Sequence, residues 1–148
     1  MKGLDFDLFS PDIFKLTKKL HEQKNKKLSE HDLKVTNARC LCRIAQSGSE
    51  GMSATEIAHA CEIDKAQISR CMLELTQRGC VVRMDDGKRR YKQKYHLTEE
   101  GERIANDLMQ SAVQIRDILG KDVSDEELSA FCATLEKICR NFDAVCDQ

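Results

Sequence analysis

Proline and long apolar runs are scarce in this sequence, and each absence narrows what the chain can be. A single proline occurs in 148 residues, which favours long uninterrupted helices. No window approaches the roughly 18 continuous apolar residues that a membrane span needs. The first twelve residues also lack the basic and apolar regions of a secretion signal. We therefore expect a cytoplasmic protein that makes no contact with a membrane.

The sequence also lacks the motifs that support catalysis or hold a cofactor. It contains no glycine-rich phosphate loop, no cysteine and histidine nucleophilic pair, and no dense cluster of carboxylates and histidines. Its four histidines are single and widely separated, which argues against a metal site. We expect neither an enzyme nor a bound cofactor or metal.

Cysteine, in contrast, is abundant, but no two of the eight cysteines have the CxxC spacing of a metal knuckle. In a reducing cytosol these thiols should not form persistent disulfides. Cys132, Cys139 and Cys146 recur every seven residues, which predicts a helical stripe where thiols pack as small apolar side chains. Packing is therefore the expected role of the cysteines, and a redox or metal role is the alternative.

The net charge of −1 conceals two opposed regions within a chain of about the size of one domain. Residues 64–96 carry nine basic and four acidic side chains, a net charge of +5. Residues 97–148 carry five basic and twelve acidic side chains, a net charge of −7. This asymmetry predicts a segment that binds a polyanion, attached to an acidic body.

The first two helices are predicted from caps and apolar spacing. Ser10 followed by Pro11 is typical of a helix start, and apolar residues at helical spacing continue to about residue 28. Thr36 is expected to cap a second helix that ends near Gln46.

The next two helices have the dimensions of a helix-turn-helix. Ser53 and Glu56 have the spacing of a capping box, which predicts a short helix to about residue 60. After a turn, Asp64 is expected to cap a longer helix, and Gly79 supplies the left-handed residue that ends it. Two helices joined by about four residues match this motif.

A β-hairpin and two longer helices complete the prediction. Residues 80–84 and 90–97 have strand character on either side of an Asp86-Gly87 turn. Thr98 then caps a long helix, and Ser124 opens a last one with a second capping box. The first and the last two helices carry more apolar surface than one small domain can cover, which predicts dimerisation. The expected fold class is mainly α with a small β-hairpin wing: a winged helix-turn-helix with N- and C-terminal dimerisation helices.

In a helix-turn-helix the second helix fits the major groove, where each base pair displays its own pattern of donors and acceptors. The exposed residues near its start should therefore read DNA, namely Lys65, Gln67, Ser69 and Arg70. Gln67 and Arg70 are candidates for base edges because they can pair with adenine and guanine, whereas Lys65 and Ser69 suit phosphate. The simpler alternative for each is a solvated helix residue.

The predicted wing is strongly basic at Lys88, Arg89 and Arg90. Such residues suit phosphate contact or insertion into the minor groove. A run of charges is usually only solvated surface, but its place directly after a recognition helix favours DNA contact. Arg89 and Arg90 are both candidates for the minor groove.

Several of these motifs follow one another at a characteristic spacing. They are Ser69-Arg70 with Leu75, Gly79 and Arg83, then Leu97-Thr98-Glu99-Glu100-Gly101 after the wing, then the acidic start of the last helix at Ser124. From about residue 11 to 145 the chain resembles the multiple-antibiotic-resistance-regulator (MarR) family of winged-helix transcription factors. The resemblance implies a homodimer that binds a pseudo-palindromic operator and represses until a ligand, metal or oxidant releases it.

The sequence departs from the family pattern at two places. Val35-Thr36 is followed by Arg39 where the family often has glutamine, which predicts different packing there. The wing lacks the family's common Asp-x-Arg, so the anchoring aspartate is either Asp86 or absent. Peroxide-sensing relatives use a cysteine in the first helix, and none precedes Cys40 here, so oxidant sensing through another thiol stays open.

We therefore expect one MarR-like domain over residues 1–148, with its DNA-binding part at 34–97 and dimerisation helices at 11–30 and 98–146. The expected function is sequence-specific binding of double-stranded DNA by a homodimeric repressor that a small aromatic effector releases. The alternatives are a thiol- or metal-responsive switch on the same scaffold, and a winged-helix protein-interaction module without specific DNA binding.

Overall fold

The computed structural model describes residues 6–84 and 93–146, which form six α-helices, a short 3-10 helix and a two-stranded sheet. The elements are α1 (Phe6–Glu30), α2 (Val35–Gln46), the 3-10 helix (Gly48–Glu50), α3 (Ala54–Cys61), α4 (Lys65–Gln77), β1 (Val81–Met84), β2 (Lys94–Leu97), α5 (Glu99–Leu119) and α6 (Asp125–Cys146). This order confirms the predicted class, mainly α with a β-hairpin wing.

The chain divides into two compact units, an N-terminal unit (Met1–Ser111) and a C-terminal unit (Ala112–Gln148). The core of the N-terminal unit lies among α2, α3 and α4, because each of these helices places apolar side chains on one face. Its largest fully buried apolar side chains are Leu41, Ile44, Ile57, Ile68, Met72, Leu75 and Val81. Burial of one such side chain contributes roughly 1.5–3 kcal/mol, so this cluster is what holds α4 in place.

The two strands form the base of the wing. Val81 pairs with Leu97 and Met84 with Lys94 in an antiparallel register. Met52, just before α3, forms an additional bridge with Tyr95, in which the two backbone N–O distances are 3.0 and 2.8 Å. These bonds fix the base of the hairpin beside the start of the helix-turn-helix. The predicted Asp86-Gly87 turn lies outside the described residues.

Three predicted helix caps are confirmed. The Ser53 hydroxyl accepts from the Glu56 amide at 3.3 Å while the Glu56 carboxylate accepts from the Ser53 amide at 2.7 Å. The carboxylate of Asp64 accepts from the amide of Gln67 at 2.9 Å and so opens α4. Ser124 forms a second complete capping box at the start of α6. Each cap satisfies amides that would otherwise lack a partner in the first helical turn.

The end of α4 and the start of α5 are in close contact, which explains the Leu-Thr-Glu-Glu-Gly motif. Gly79 ends α4 with a φ of +68°, a conformation that glycine adopts without strain. The Thr98 hydroxyl donates to the Gly79 carbonyl and accepts from the Gly101 amide at 3.1 Å. A Cβ atom on Gly101 would lie only 1.9 Å from the carbonyl oxygen of Cys80, so no larger residue fits there.

Two predicted helix boundaries are wrong. Helix α1 begins at Phe6, and Pro11 lies inside it. A proline there removes one backbone hydrogen bond near the start of a 25-residue helix, a loss that the rest of the helix can offset. Helix α2 begins at Val35 with Lys34 as its N-cap, which has extended backbone angles and no side-chain cap, so Thr36 lies within the first turn.

The packing prediction for the cysteines is confirmed in the N-terminal unit and wrong in α6. Cys40, Cys61, Cys71 and Cys80 are buried, and Cys42 is half-buried. Cys132 and Cys139 are exposed instead. The reason is that the chain by itself buries no described side chain of α6, so a helical stripe exists there without a surface that covers it. The side chain of Cys146 lies outside the described residues.

Within the described residues, none of the helices combines the length and the apolar character that crossing a membrane requires.

Candidate nucleic-acid interface

Helix α4 has one buried and one exposed face. Its buried stripe consists of Ile68, Cys71, Met72 and Leu75, and it packs in the core of the N-terminal unit. Since residues three and four apart share a helix face, the buried stripe leaves the other side of α4 in solvent. Every predicted reading residue on this helix is exposed, namely Lys65, Gln67, Ser69 and Arg70.

The four residues differ in how free their polar groups are. Among the described residues, the side chains of Lys65, Gln67 and Arg70 make no hydrogen bond, so their donors are available to a ligand. The Ser69 hydroxyl instead donates to the carbonyl of Lys65 at 2.9 Å. Ser69 can accept a bond in this rotamer, but it must rotate before it can donate to a phosphate oxygen.

A groove of about 280 Å³ lies beside this face, between α4 and the start of α2. Its lining brings Gln67 and Arg70 together, whereas Lys65 and Ser69 lie outside it. Cys71 and Asn37 form part of its wall. The structure therefore places the two residues predicted to read bases next to each other.

An ion pair neutralises the acidic side chain that lines this groove. The ammonium of Lys34 lies 3.0 Å from the carboxylate of Glu74, and both residues line the groove. The hydrogen bond from Lys34 holds the pKa of Glu74 below its usual range, with the Asn37 amide as a second cause. Because a bare carboxylate would repel a phosphate backbone, this pair makes the groove more compatible with DNA.

Two features of α4 were missed in the sequence. Leu73, three residues after Arg70, is 60% exposed and lies on the outer face, where an apolar side chain can touch a thymine methyl group. An apolar residue opposite the buried stripe was the signal that could have identified it. Arg78, counted in the basic segment, donates instead to the backbone carbonyls of His31 and Asp32. No sequence signal links residues so far apart.

The predicted wing residues Lys88, Arg89 and Arg90 lie outside the described residues, as does Asp86. The base of the wing carries two further basic residues. The guanidinium of Arg83 lies 5.9 Å from the centre of the Tyr95 ring, within the range of a cation–π contact. The ammonium of Lys94 donates to the carbonyl of Glu50 at 3.0 Å.

A second cavity, of about 360 Å³, lies in the N-terminal unit between α2, β2 and the first half of α5. Its size falls in the range of small-molecule sites. Apolar atoms of Ile44, Leu97 and Met109 line it together with the polar groups of His96 and Glu102. The cavity is separate from the groove beside α4, with which it shares no lining residue.

The ranges 6–84 and 93–146 contain no group of three or more histidine, cysteine or acidic side chains that could hold a metal ion. One histidine is engaged elsewhere, since His31 Nε2 lies 2.6 Å from a carboxylate oxygen of Asp107. Lys27 contacts the same oxygen at 2.8 Å, so a salt bridge joins α1 to α5.

No protein-family model and no curated protein matches the sequence. The fold does match solved structures. S. aureus MepR bound to ethidium bromide has a TM-score of 0.73 at 17% identity, covering 90% of this chain and 96% of that chain. The S. aureus MepR–DNA complex has a TM-score of 0.72 at 17% identity, covering 90% and 98%. A MarR family transcription regulator has a TM-score of 0.74 at 16% identity, covering 98% and 99%. This chain therefore has the winged helix-turn-helix fold of a MarR family transcription regulator.

Proposed function

We propose that this protein is a MarR-family transcriptional regulator, a homodimer that binds double-stranded DNA sequence-specifically through α4. The observation that carries the proposal is the exposed face of α4, where Lys65, Gln67 and Arg70 have donors without partners among the described residues. The fold also occurs in the MepR–DNA complex. A major groove about 12 Å wide admits such a helix.

The residues of this face have different roles in the proposed contact. Arg70 can form two hydrogen bonds with guanine, and Gln67 can do so with adenine. Lys65 lies at the start of α4 and suits a phosphate, since the helix N-terminus also favours negative charge. Arg89 and Arg90 of the wing are proposed to contact phosphate or the minor groove.

The homodimer is proposed from the burial in the C-terminal unit. None of the described side chains of residues 112–148 is buried, although this unit contains apolar residues at helical spacing. Phe131 is 45% exposed and Ile118 is 75% exposed. Such a unit is too small to bury its apolar face alone, and a second copy that binds a two-fold operator would cover it.

Repression that a small ligand releases is the finer part of the proposal. The 360 Å³ cavity supports it, because a ligand there would contact β2 of the wing and α5 at once. Its walls are about half apolar and half polar, and the one carboxylate, Glu102, suits a ligand that carries a positive charge. MepR bound to ethidium bromide gives the chemical class of the first compound to test.

The decisive experiment for DNA binding is fluorescence anisotropy with a labelled duplex from upstream of the protein's own gene, across a salt series. An unrelated duplex serves as the control. We expect tight binding to the upstream DNA that falls steeply with salt, because neutralised phosphates release counterions. Equal weak binding to both duplexes would contradict sequence specificity, and no binding at low salt would favour the protein-interaction module.

Arg70→Ala tests the proposed face of α4. Loss of one bidentate base contact should weaken binding by about 1–3 kcal/mol and relax the preference at one position. Arg140→Ala is the matched control, since it removes the same charge from α6, where Arg140 is exposed and only loosely paired with Glu136. Equal losses in both variants would show a general charge effect instead of base reading.

Ligand binding is tested with the protein alone, because ethidium also binds DNA. Ethidium anisotropy should rise with protein concentration, and Ala45→Phe should abolish the rise because the larger side chain fills the cavity that Ala45 lines. Glu102→Gln keeps the shape and removes the charge, so it should weaken binding of the cation only. Unchanged ethidium binding in Ala45→Phe would place the site elsewhere.

A further inference from the structure

Two buried cysteines meet directly behind the exposed face of α4. The sulfur of Cys71 on α4 lies 3.5 Å from the sulfur of Cys40 on α2. A disulfide has a sulfur–sulfur distance of about 2.05 Å, so the two atoms need to approach by about 1.5 Å. Both cysteines belong to the same buried core, to which α2 and α4 contribute.

The two thiols differ in their access to solvent. Cys40 is fully buried, whereas Cys71 is 5% exposed and lines the 280 Å³ groove beside Gln67 and Arg70. A molecule as small as hydrogen peroxide can enter such a groove and reach Cys71 first. Cys71 is therefore the thiol that an oxidant reaches first, and Cys40 is the thiol that can then attack the oxidised Cys71.

The surroundings of Cys71 favour ionisation of this thiol over that of Cys40. The hydrogen bond between the Cys71 and Cys40 thiols lowers the pKa of Cys71, and Lys34 acts in the same direction, while burial and Glu74 oppose it. The same hydrogen bond, together with burial, raises the pKa of Cys40. Of the two thiols, Cys71, on the side of the groove, is therefore the one that ionises more readily.

Asn37 is the third polar residue of this site. It is 2% exposed, and its Oδ1 lies 3.5 Å from the Cys71 sulfur. Its amide nitrogen forms no hydrogen bond of good geometry among the described residues, although it lies close enough to Glu74 to help lower the pKa of that carboxyl. Rotation of the amide would bring this donor to the sulfur and stabilise the thiolate of Cys71.

We propose that Cys40 and Cys71 form an oxidation site, which hydrogen peroxide converts into an intrachain disulfide between α2 and α4. The Cys71 thiolate attacks one peroxide oxygen, the O–O bond breaks, and hydroxide leaves, which gives a sulfenic acid on Cys71. The Cys40 thiol loses its proton to the hydroxide and attacks the Cys71 sulfur. The S–O bond breaks, the S–S bond forms, and the second oxygen leaves as water once protonated. Two thiols and one peroxide thus give one disulfide and two waters, with two electrons passing from sulfur to oxygen.

The disulfide acts on the proposed DNA contact, and this step rests on the proposed function. Gln67 and Arg70 lie within the turn of α4 that precedes Cys71. Rotation of the two side chains can close part of the sulfur–sulfur distance, and we expect a shift of α4 relative to α2 to close the rest. Hydrogen bonds to base edges weaken steeply with distance and angle. We expect oxidation to lower DNA affinity about tenfold or more.

Mass spectrometry of the full chain tests the oxidation site without DNA. Trypsin releases Cys40 in the peptide 40–43 and Cys71 in the peptide 71–78. The peptide 40–43 also contains Cys42, so the experiment uses Cys42→Ala as its background. After peroxide treatment we expect the two peptides joined, with a mass two hydrogens below their sum, and separated again by dithiothreitol. Cys40→Ala and Cys71→Ala should each abolish the joined peptide.

One result would overturn the proposal. In that result, peroxide modifies only exposed thiols such as Cys132 and Cys139. Cys40 and Cys71 then remain free thiols, which are alkylated once the protein is unfolded. If Cys40→Ala does not fold, as judged by circular dichroism, Cys40→Ser provides the same test.

DNA anisotropy in the Cys42→Ala background then tests the consequence. The expected loss of affinity is reversed by dithiothreitol and absent in Cys40→Ala. A joined peptide with unchanged affinity would overturn the effect on DNA binding. If the reduced protein binds no DNA at all, the proposed function fails, and the mass-spectrometric result still decides the oxidation site.

Discussion

The N-terminal and C-terminal units differ in what covers their apolar residues. Helices α2, α3 and α4 bury residues such as Leu41, Ile57 and Leu75 completely. Helix α6 has comparable apolar spacing, yet Phe131 is 45% exposed and Leu135 is only half-buried. Apolar periodicity thus identifies the face of a helix that needs a partner, but it does not say whether that partner belongs to the same chain.

Charge divides the chain at a different point, between residues 96 and 97. The +5 segment at residues 64–96 contains α4 and the wing, whereas the −7 segment at residues 97–148 contains α5 and α6. A polyanion would be attracted to the first and repelled by the second, so the net charge of the whole chain is a poor guide to its ligand.

The largest expected effect is at Gly101, where the N-terminal unit has no space for a side chain. Gly101→Ala should destabilise the protein by about 3 kcal/mol or more, because its Cβ would clash with the Cys80 carbonyl oxygen. Gly120→Ala is the matched control, since a Cβ there meets nothing closer than 3.4 Å. Urea unfolding measures both changes, and equal midpoints for the two variants would contradict the close approach.

The next effect concerns the exposed face of α6. Phe131→Asp should weaken the proposed dimer by about 2 kcal/mol or more, as loss of a central apolar contact does. Light scattering at micromolar concentration measures the mass. Leu73→Asp, at another exposed apolar residue, is the control and should leave the mass unchanged. A dimeric Phe131→Asp protein, or a monomeric parent protein, would remove α6 from the proposed interface.

A smaller effect compares the two capping boxes, one in each unit. Ser53→Ala and Ser124→Ala should each cost about 1 kcal/mol in helix stability, because one amide of the first turn loses its acceptor. The loss at Ser53 should not depend on protein concentration. If a second copy packs against the C-terminal unit, the loss of stability in Ser124→Ala should become smaller as the protein concentration rises. Urea unfolding at two concentrations would show identical behaviour if no dimer forms.

The smallest effect depends on pH. Hydrogen bonds from Lys27 and then from His31 hold the pKa of Asp107 below its ordinary value. A lowered folded pKa adds stability above the unfolded value near 4, and this stability disappears as pH falls through the folded value. The free energy of unfolding of Asp107→Asn should therefore fall less between pH 5 and 2 than that of the parent protein. Asp143→Asn, at an exposed residue, is the control and should behave as the parent does. Equal acid sensitivity of parent and Asp107→Asn would contradict this role.

The sequence predicted the parts of the fold that local chemistry determines. The capping boxes at Ser53 and Ser124, the Asp64 cap and the stop at Gly79 all depend on residues within four positions of one another. The start of α1 was predicted wrongly because Pro11 is favourable at a first helical position but is also tolerated slightly later.

The candidate site was predicted only in part, for a similar reason. The exposed placement of Lys65, Gln67, Ser69 and Arg70 follows from helical periodicity, whereas their DNA contacts stay a prediction. The Lys34–Glu74 ion pair joins residues that are 40 positions apart in the sequence. The Cys40–Cys71 contact joins residues that are 31 positions apart. No local pattern indicates such pairs, because they exist only after α2 and α4 have packed together.

The bonds of Arg78 add a polar anchor at the C-terminal end of α4, besides the apolar core that holds the helix. Its guanidinium holds the C-terminal end of α4 to the carbonyls of His31 and Asp32, with a bond of 2.6 Å to the former. Among the described residues, the polar side chains of the first turn, residues 65–68, make no hydrogen bond to another element. Helix α4 has 13 residues and is therefore about 20 Å long. A tilt of about 5° around the end at Arg78 would displace the opposite end by nearly 2 Å, so a small rotation near the pivot is amplified at Lys65.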